Sequence, residues 1–349
     1  MGGGSSAWGD APAGPIVRES VVLRHRNEFP VEGELPPFDG ATTWLNGAPP
    51  TPADLRGRVV LVSFGTYTCI NWLRSLPYVR AWADRYAGLG LVVVGVQTPE
   101  FDFEGDLGNV ARAIEERHLP YPVAVDNDYA VWRAFDNHYW PALYFADAQG
   151  RIRHHHFGEG EYEESEMVLQ MLLREAGADV DQGLVELQPD GAEAPADWAS
   201  LGSPESYVGY GRAVGFASPG GFVPDQHHGY SAPAALRRNQ WSLSGDWVVG
   251  VEPAALGEAG GSISYLFHAR DLHLVMGPPP GRPPVRFTVR LDGEPPGPAH
   301  GTDVDEAGNG TADYQRMYQL IRQPSPVGDR LFEIEFLDAG VEAYVFTFG

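Results

Sequence analysis

The chain has 349 residues and 24 basic against 47 acidic side chains, a formal charge of −23. It is long enough for two domains of ordinary size, and too acidic to favour nucleic acid or an anionic lipid surface as a partner. Hydrophobic residues make up 43%, which excludes wholesale disorder, and no run approaches the roughly 18 apolar residues of a membrane span. All the basic residues are arginines, so lysine-dependent Schiff-base and P-loop chemistry have no residue to use. The single cysteine, Cys69, excludes an internal disulfide and any multi-thiolate metal centre within one chain.

The first 28 residues read as a flexible Gly/Ala/Pro-rich segment without the basic patch and apolar core of a signal peptide, so the expected location is cytoplasmic. The β-branched run 59–64 predicts a strand buried on both faces. Over 70–86 the larger apolar residues Leu73, Leu76, Val79, Trp82 and Tyr86 recur at spacings of three and four, which predicts a helix that Gly88 and Gly90 end. A second buried strand follows at 91–96, then a helix at 110–118, a strand at 121–125 and a short helix at 129–135. The segments 142–146 and 151–157 flank Asp147-Ala148-Gln149-Gly150 and read as a hairpin, and a helix at 164–175 turns Met167, Val168, Met171 and Leu172 inward. Strands alternating with helices and then a hairpin describe an α/β layer with a mixed sheet over 29–178.

Residues 179–199 turn acidic and Ala/Pro-rich and read as a linker too polar to hold two halves rigidly. From 200 to 349 the texture becomes about eight short runs, at 241–243, 247–251, 262–269, 272–276, 285–291, 316–321, 331–336 and 341–348, separated by Gly, Pro and Asp clusters. They indicate an all-β sandwich of jelly-roll kind. Its aromatics Trp241, Trp247, Tyr265 and Phe267 are read as core in preference to a sugar-stacking face. His154-His155-His156 alternates across a strand and is read as surface and packing rather than a metal site. The loop from Asp303 to Gly310 lacks calcium ligands at Ala307 and Tyr314 and is read as an Asx-rich turn.

The strings Thr66-Tyr67-Thr68-Cys69-Ile70-Asn71, Gly95-Val96-Gln97-Thr98-Pro99-Glu100-Phe101, Tyr139-Trp140-Pro141-Ala142 and His156-Phe157-Gly158-Glu159-Gly160 together resemble the soluble part of DipZ-type thiol:disulfide interchange proteins. The resemblance runs from Phe29 to Gly349, leaving out the family's membrane-embedded electron-relay domain. It implies an α/β thioredoxin-like fold followed by a β-sandwich similar to carbohydrate-binding modules, and it implies that members are often extracytoplasmic. Three departures fall at the site. Gly65 stands where the family's motif has tryptophan, Trp72 where it has the second cysteine, and Gln97 where it has histidine.

Cys69 lies where a strand hands over to a helix, a position expected to lower its thiol pKa toward neutrality. With no resolving thiol, any redox cycle needs an external one. Thr66 precedes the cysteine by three residues, as in the Thr-x-x-Cys of peroxiredoxins, so its hydroxyl is a candidate partner of the thiolate. The resemblance implies that Pro141 is the cis-proline facing the thiol, with Trp140 beside it, whereas an X–Pro bond taken by itself is far more often trans. Gly65 and Trp72 read as a size exchange, either compensated packing or a new apolar pocket with Cys69 at its edge. Tyr67, Asn71, Gln97 and Glu100 complete the expected pocket, and Glu100 is either a proton relay or a solvated carboxylate. The leading expectation is a monothiol oxidoreductase or peroxide- or disulfide-reactive thiol acting on an external thiol, disulfide or small molecule, with no cofactor. The alternatives are a non-redox cysteine enzyme acting on a small molecule, and a binding protein or pseudo-enzyme that uses its sandwich.

Overall fold

A computed structural model describes residues 29–180 and 183–349; the expectation for 1–28 lies outside the described residues. In the first half the elements are β1 (Gly33–Glu34), β2 (Thr43–Leu45), α1 (Pro52–Leu55), β3 (Val59–Gly65), α2 (Ile70–Tyr86), β4 (Leu91–Gln97), α3 (Leu107–Glu116), β5 (Val123–Val125), α4 (Ala130–Ala134), β6 (Ala142–Ala146), β7 (Arg151–Phe157) and α5 (Tyr162–Glu175). They form one mixed sheet in the order β1-β7-β6-β3-β4-β5-β2. The pairs β3–β4 and β4–β5 are parallel, and the β6–β7 hairpin lies antiparallel beside β3.

Every residue of β3 is buried because both faces of the sheet are covered. Val59 and Leu61 meet Leu73, Leu76 and Trp82 of α2 and Leu169 and Leu172 of α5, while Val60, Val62 and Phe64 meet Phe38, Val131 and Phe135 on the other face. One inward assignment fails. α5 begins two residues earlier than the pattern suggested and faces the sheet with Val168, Leu169, Leu172 and Leu173, which leaves Met167 51% exposed.

The second half contains β8 (Ser206–Tyr207), β9 (His228–Tyr230), β10 (Trp241–Val249), β11 (Ala254–Leu256), β12 (Ser262–His268), β13 (Asp271–Gly277), β14 (Val285–Leu291), β15 (Asn309–Ala312), β16 (Arg316–Arg322), β17 (Asp329–Phe336) and β18 (Glu342–Phe348). The strand path is β15-β14-β17-β12-β10-β11-β18-β13-β16, so the sandwich is nearly a closed sheet. The runs expected as separate strands at 241–243 and 247–251 are a single strand, β10, whose first part pairs with β12 and whose last part pairs with β11. It turns the corner at Gly245, where φ is +98° and a Cβ would lie 2.8 Å from Gly261 Cα. Only glycine fits such a bend. Strands β8, β9, β11 and β15, each of four residues or fewer, carry too little alternation to be read from sequence. Trp241, Trp247, Tyr265 and Phe267 are fully buried in the sandwich core.

The halves share a core. Val275 of β13, Met317 of β16 and Tyr344 and Val345 of β18 join the cluster formed by Tyr67, Phe101, Phe103 and α2, while Leu274, Met276 and Phe346 turn into the sandwich. Arg74 of α2 is 3% exposed; it donates to Glu159 Oε1 at 2.9 Å and to the Phe348 carbonyl at 3.4 Å. The 179–199 segment is more than a loose linker. Its one-turn helix Gly191–Glu193 sets Glu193 against Arg80 in a two-toothed ion pair (2.9 and 2.6 Å), and Arg322 of the sandwich donates to the Gly191 carbonyl. Glu193, which looks solvated in sequence, is held by an arginine of the first half, and arginines of the sandwich hold carbonyls of the same segment.

Candidate active site around Cys69

Cys69 is the N-cap of α2, at the carboxyl end of β3. That geometry aims the free N–H groups of the first helical turn at the sulfur, and the Asn71 and Trp72 amides hold the charged form of the thiol. The sulfur is partly buried and lies 3.9 Å from the Trp140 carbonyl, beside a cis Trp140–Pro141 bond. Trp140 is itself held by its indole N–H on the Thr98 carbonyl (3.0 Å) and by Trp132, whose ring centroid is 4.4 Å away.

The expected lowering of the thiol pKa does not occur. Burial pushes the Cys69 thiol well up, the Glu100 and Glu205 carboxylates push the same way, and the two helix amides do not offset them. Desolvation of a thiolate outweighs the partial charge of a helix end when the nearby full charges are negative.

The indole of Trp72 is seated on Gly65: a Cβ there would lie 2.1 Å from Trp72 Cδ1 and 2.2 Å from Nε1. The size exchange is therefore compensated packing. A cavity of about 10 Å³ does remain between Gly65, Trp72, Gln97 and Tyr121, but it lies within the α3 side of the sheet and Cys69 is not on its wall. That volume suits about one water, not a substrate.

Thr66 is fully buried, and its hydroxyl is taken up away from the sulfur. It accepts from Gln97 Nε2 at 3.1 Å and helps hold the charged form of the Glu104 carboxylate. The peroxiredoxin-like placement on the thiolate is thus replaced by a bond into the protein. Tyr67 is buried at the domain junction, its hydroxyl donating to the Gln315 carbonyl at 3.1 Å. Asn71 lies one residue into α2, partly buried, and contributes its backbone amide.

Glu100 is neither solvated nor free. The Tyr207 hydroxyl lies 2.7 Å from its Oε1, Arg212 donates to the same oxygen at 2.8 Å, and the Arg212 guanidinium stacks 3.7 Å over the Tyr207 ring. Both partners belong to the sandwich half, as does Glu252, which accepts the Asp102 amide. Beside them Phe103 packs 4.4 Å from Tyr344 and Phe101 5.2 Å from it. The second half therefore forms one wall of the neighbourhood of Cys69.

Sequence reasoning missed Glu104. It is fully buried under the cysteine loop, where Thr68 Oγ1 donates to Oε1 at 2.5 Å and the Glu100 and Phe101 amides donate to Oε2 at 2.6 and 3.0 Å. Burial raises its pKa to about 7 against those donors. The available signal was weak, an acidic residue between Phe103 and Gly105 close after the Pro99-Glu100-Phe101 string.

The histidines bear no such organisation: His154 packs on Phe29 and Phe145, and His155 meets Glu32 at 2.7 Å. Asp305 accepts the Asn309 amide in an Asx-type turn, and Asp303 pairs with Arg316.

A thiol at the start of a helix, a cis-proline facing it, and a mixed sheet with helices on both faces define a thioredoxin-like redoxin. Residues 31–155 match the AhpC/TSA family, and residues 203–349 match the thioredoxin like C-terminal domain. The chain is 31% identical over 124 residues to the thiol-disulfide oxidoreductase YkuV of Bacillus subtilis, covering 36% of this chain and 83% of that one. It is 37% identical over 268 residues to the protein DipZ of Mycobacterium bovis, covering 75% of this chain but 37% of the relative, so it spans little more than a third of that length. A solved thioredoxin-like protein in its oxidized form is 30% identical with a TM-score of 0.38, over 41% of this chain and 96% of its own. The chain belongs to the thioredoxin-like, thiol-disulfide oxidoreductase family. Among the described residues no helix is long and apolar enough to cross a membrane.

Proposed function

We propose that the protein is a monothiol member of this family, in which Cys69 exchanges with an external thiol or disulfide. The observation that carries the reading is the replacement of the second thiol position by Trp72, whose indole is locked over Gly65. An intramolecular disulfide is closed to this site, while the thiol, the helix amides and the Trp140 carbonyl remain together.

The cycle balances with external thiols alone. The Cys69 thiolate attacks a disulfide RS–SR′ to give Cys69–S–SR and release R′S⁻, which takes up the proton lost from Cys69. A second thiol R″SH, as its thiolate, then attacks the R sulfur to give RS–SR″ and return Cys69 to the thiol. A raised thiol pKa gives this cycle a particular character: little thiolate is present at neutral pH, and the mixed disulfide, once formed, has a poor leaving group in Cys69. The expected chemistry is slow capture and long retention. The Glu100, Tyr207 and Arg212 wall supports a partner chosen by both halves of the chain.

Incubation with glutathione disulfide followed by intact-mass measurement tests the reading. The expected result is one glutathione added at Cys69 with one released, no addition to Cys69→Ser, and no catalytic insulin reduction driven by a thioredoxin-reductase system. Turnover without an added thiol, or a folded Cys69 that never forms the adduct while the unfolded chain does, overturns it. Trp72→Cys adds dithiol activity if Gly65 and Gln97 still present the pair correctly.

A further inference from the structure

The Glu104 carboxylate is fully buried, and it is met by a threonine hydroxyl and two backbone amides, all of them donors. Thr68 donates to Oε1, and the hydroxyl of Thr66, which accepts from Gln97, favours the charged carboxylate as well. On its other oxygen Glu104 accepts the amides of Glu100 and Phe101. The first pair belongs to the loop that ends in Cys69. The second belongs to the segment whose side chains meet Tyr207, Arg212 and Tyr344 of the sandwich.

We propose that Glu104 is a positioning residue for Cys69, fastening the loop that presents the thiol to the segment on which the sandwich closes, so that protonating this carboxylate loosens both. The role rests on the reading of Cys69 as the working thiol. An ionised carboxylate accepts from every one of these donors; a protonated one must give up at least one bond or turn a threonine hydroxyl around. The titratable groups whose charge reaches it are Glu100 on its own loop, Tyr67 on the cysteine loop and Tyr129 at the start of α4, while across the domain junction Tyr344 and Glu252 meet its neighbours Phe103 and Asp102. Every one of them is an acid, so none offsets a buried negative charge. Arg212, the cation of this neighbourhood, is taken up by Glu100. Burial therefore brings the carboxyl of Glu104 to titrate near neutrality, at about 7.

The test is alkylation of Cys69 by iodoacetamide in the full chain, followed between about pH 5.5 and 8.5 and corrected for thiolate, which changes by about tenfold per pH unit below the thiol pKa. The expected corrected rate is roughly threefold to tenfold higher below the step than above it, the equivalent of one net hydrogen bond. The step should coincide with the titration of the Glu104 carboxyl carbon read by NMR in the same unmodified chain.

Glu104→Gln should remove the step and hold the faster rate throughout. Its carbonyl can keep the two backbone amides, while its NH₂ cannot accept from Thr68, whose hydroxyl must turn around as it must opposite the protonated acid. Thr68→Val, which keeps the carboxylate but removes a donor, should move the step to higher pH. A wild-type profile with no step, a step that survives Glu104→Gln, or a step away from the carboxyl titration overturns the proposal. Failure of glutathione exchange would sink the monothiol reading and leave this profile unchanged, so the two are separable.

Discussion

Strands β13 and β14 are both seven residues long and follow one another in the chain, yet they live in different surroundings. β14 alternates strictly, with Val285, Phe287, Val289 and Leu291 inside and Arg286 and Arg290 exposed. β13 is buried at every position, because Leu274 and Met276 fill the sandwich while Val275 faces the redoxin half. Its neighbour β18 is buried at all positions but the first. One sheet face of the sandwich is thus an ordinary solvated surface and the other is half of an interior. The redoxin core cannot be closed on its α2 side by its own residues; Val275, Met317, Tyr344 and Val345 complete it.

The comparison breaks most visibly through an outward-facing residue. Val345→Asp should cost about 3–5 kcal/mol, because it buries a charge with no partner between two apolar surfaces. Urea unfolding would show that loss together with faster alkylation of Cys69, whereas Arg290→Asp on the solvated face should leave both unchanged. A Val345→Asp chain of native stability would mean that the halves do not share a core.

The halves also differ in the sign of their pH dependence. His273, buried on β13, is held neutral, its pKa pushed down to about 3 mainly by burial, with Arg74 and Arg322 acting in the same direction and Asp271 against it. Its folded pKa lies below the unfolded value of about 6.5, so stability falls as pH drops from about 6.5 toward 3. Glu104 behaves in the opposite sense. Its folded value of about 7 lies above the unfolded value, so its contribution is complete below about 4.5 and is lost as pH rises through 7. Each should be worth on the order of 3–5 kcal/mol across its window. Urea unfolding against pH should show the acid slope flattened by His273→Gln and the neutral slope flattened by Glu104→Gln, each leaving the other in place.

A smaller effect sharpens the role of the connecting segment. Arg80→Ala removes the half-buried pair with Glu193 and should cost about 1 kcal/mol. The check is the unfolding midpoint compared with that of Glu193→Gln, which should fall by a similar amount if the pair itself is responsible.

Much of this molecule is written locally. The runs at 59–64 and 91–96 and the three- and four-residue spacing from Leu73 to Tyr86 specify their elements because a strand covered on both faces and a helix covered on one need those patterns wherever they stand. The strict alternation of β14 reports its surroundings just as directly. The place of Cys69 at the head of α2 was also legible, since a strand-to-helix junction is a short-range feature, whereas its meeting with Trp140, 71 residues away, was implied only by the family resemblance. What the sequence did not show was every property that depends on which surfaces meet. The thiol pKa rises because Glu205, brought in by the sandwich, and Glu100 lie near a sulfur that is also desolvated. Glu104 is ordinary as a letter and becomes consequential only when Thr66, Thr68, Glu100 and Phe101 converge on it. Periodicity records whether a residue is covered, but not by what, and the electrostatics of a buried site depends on the identity of the cover.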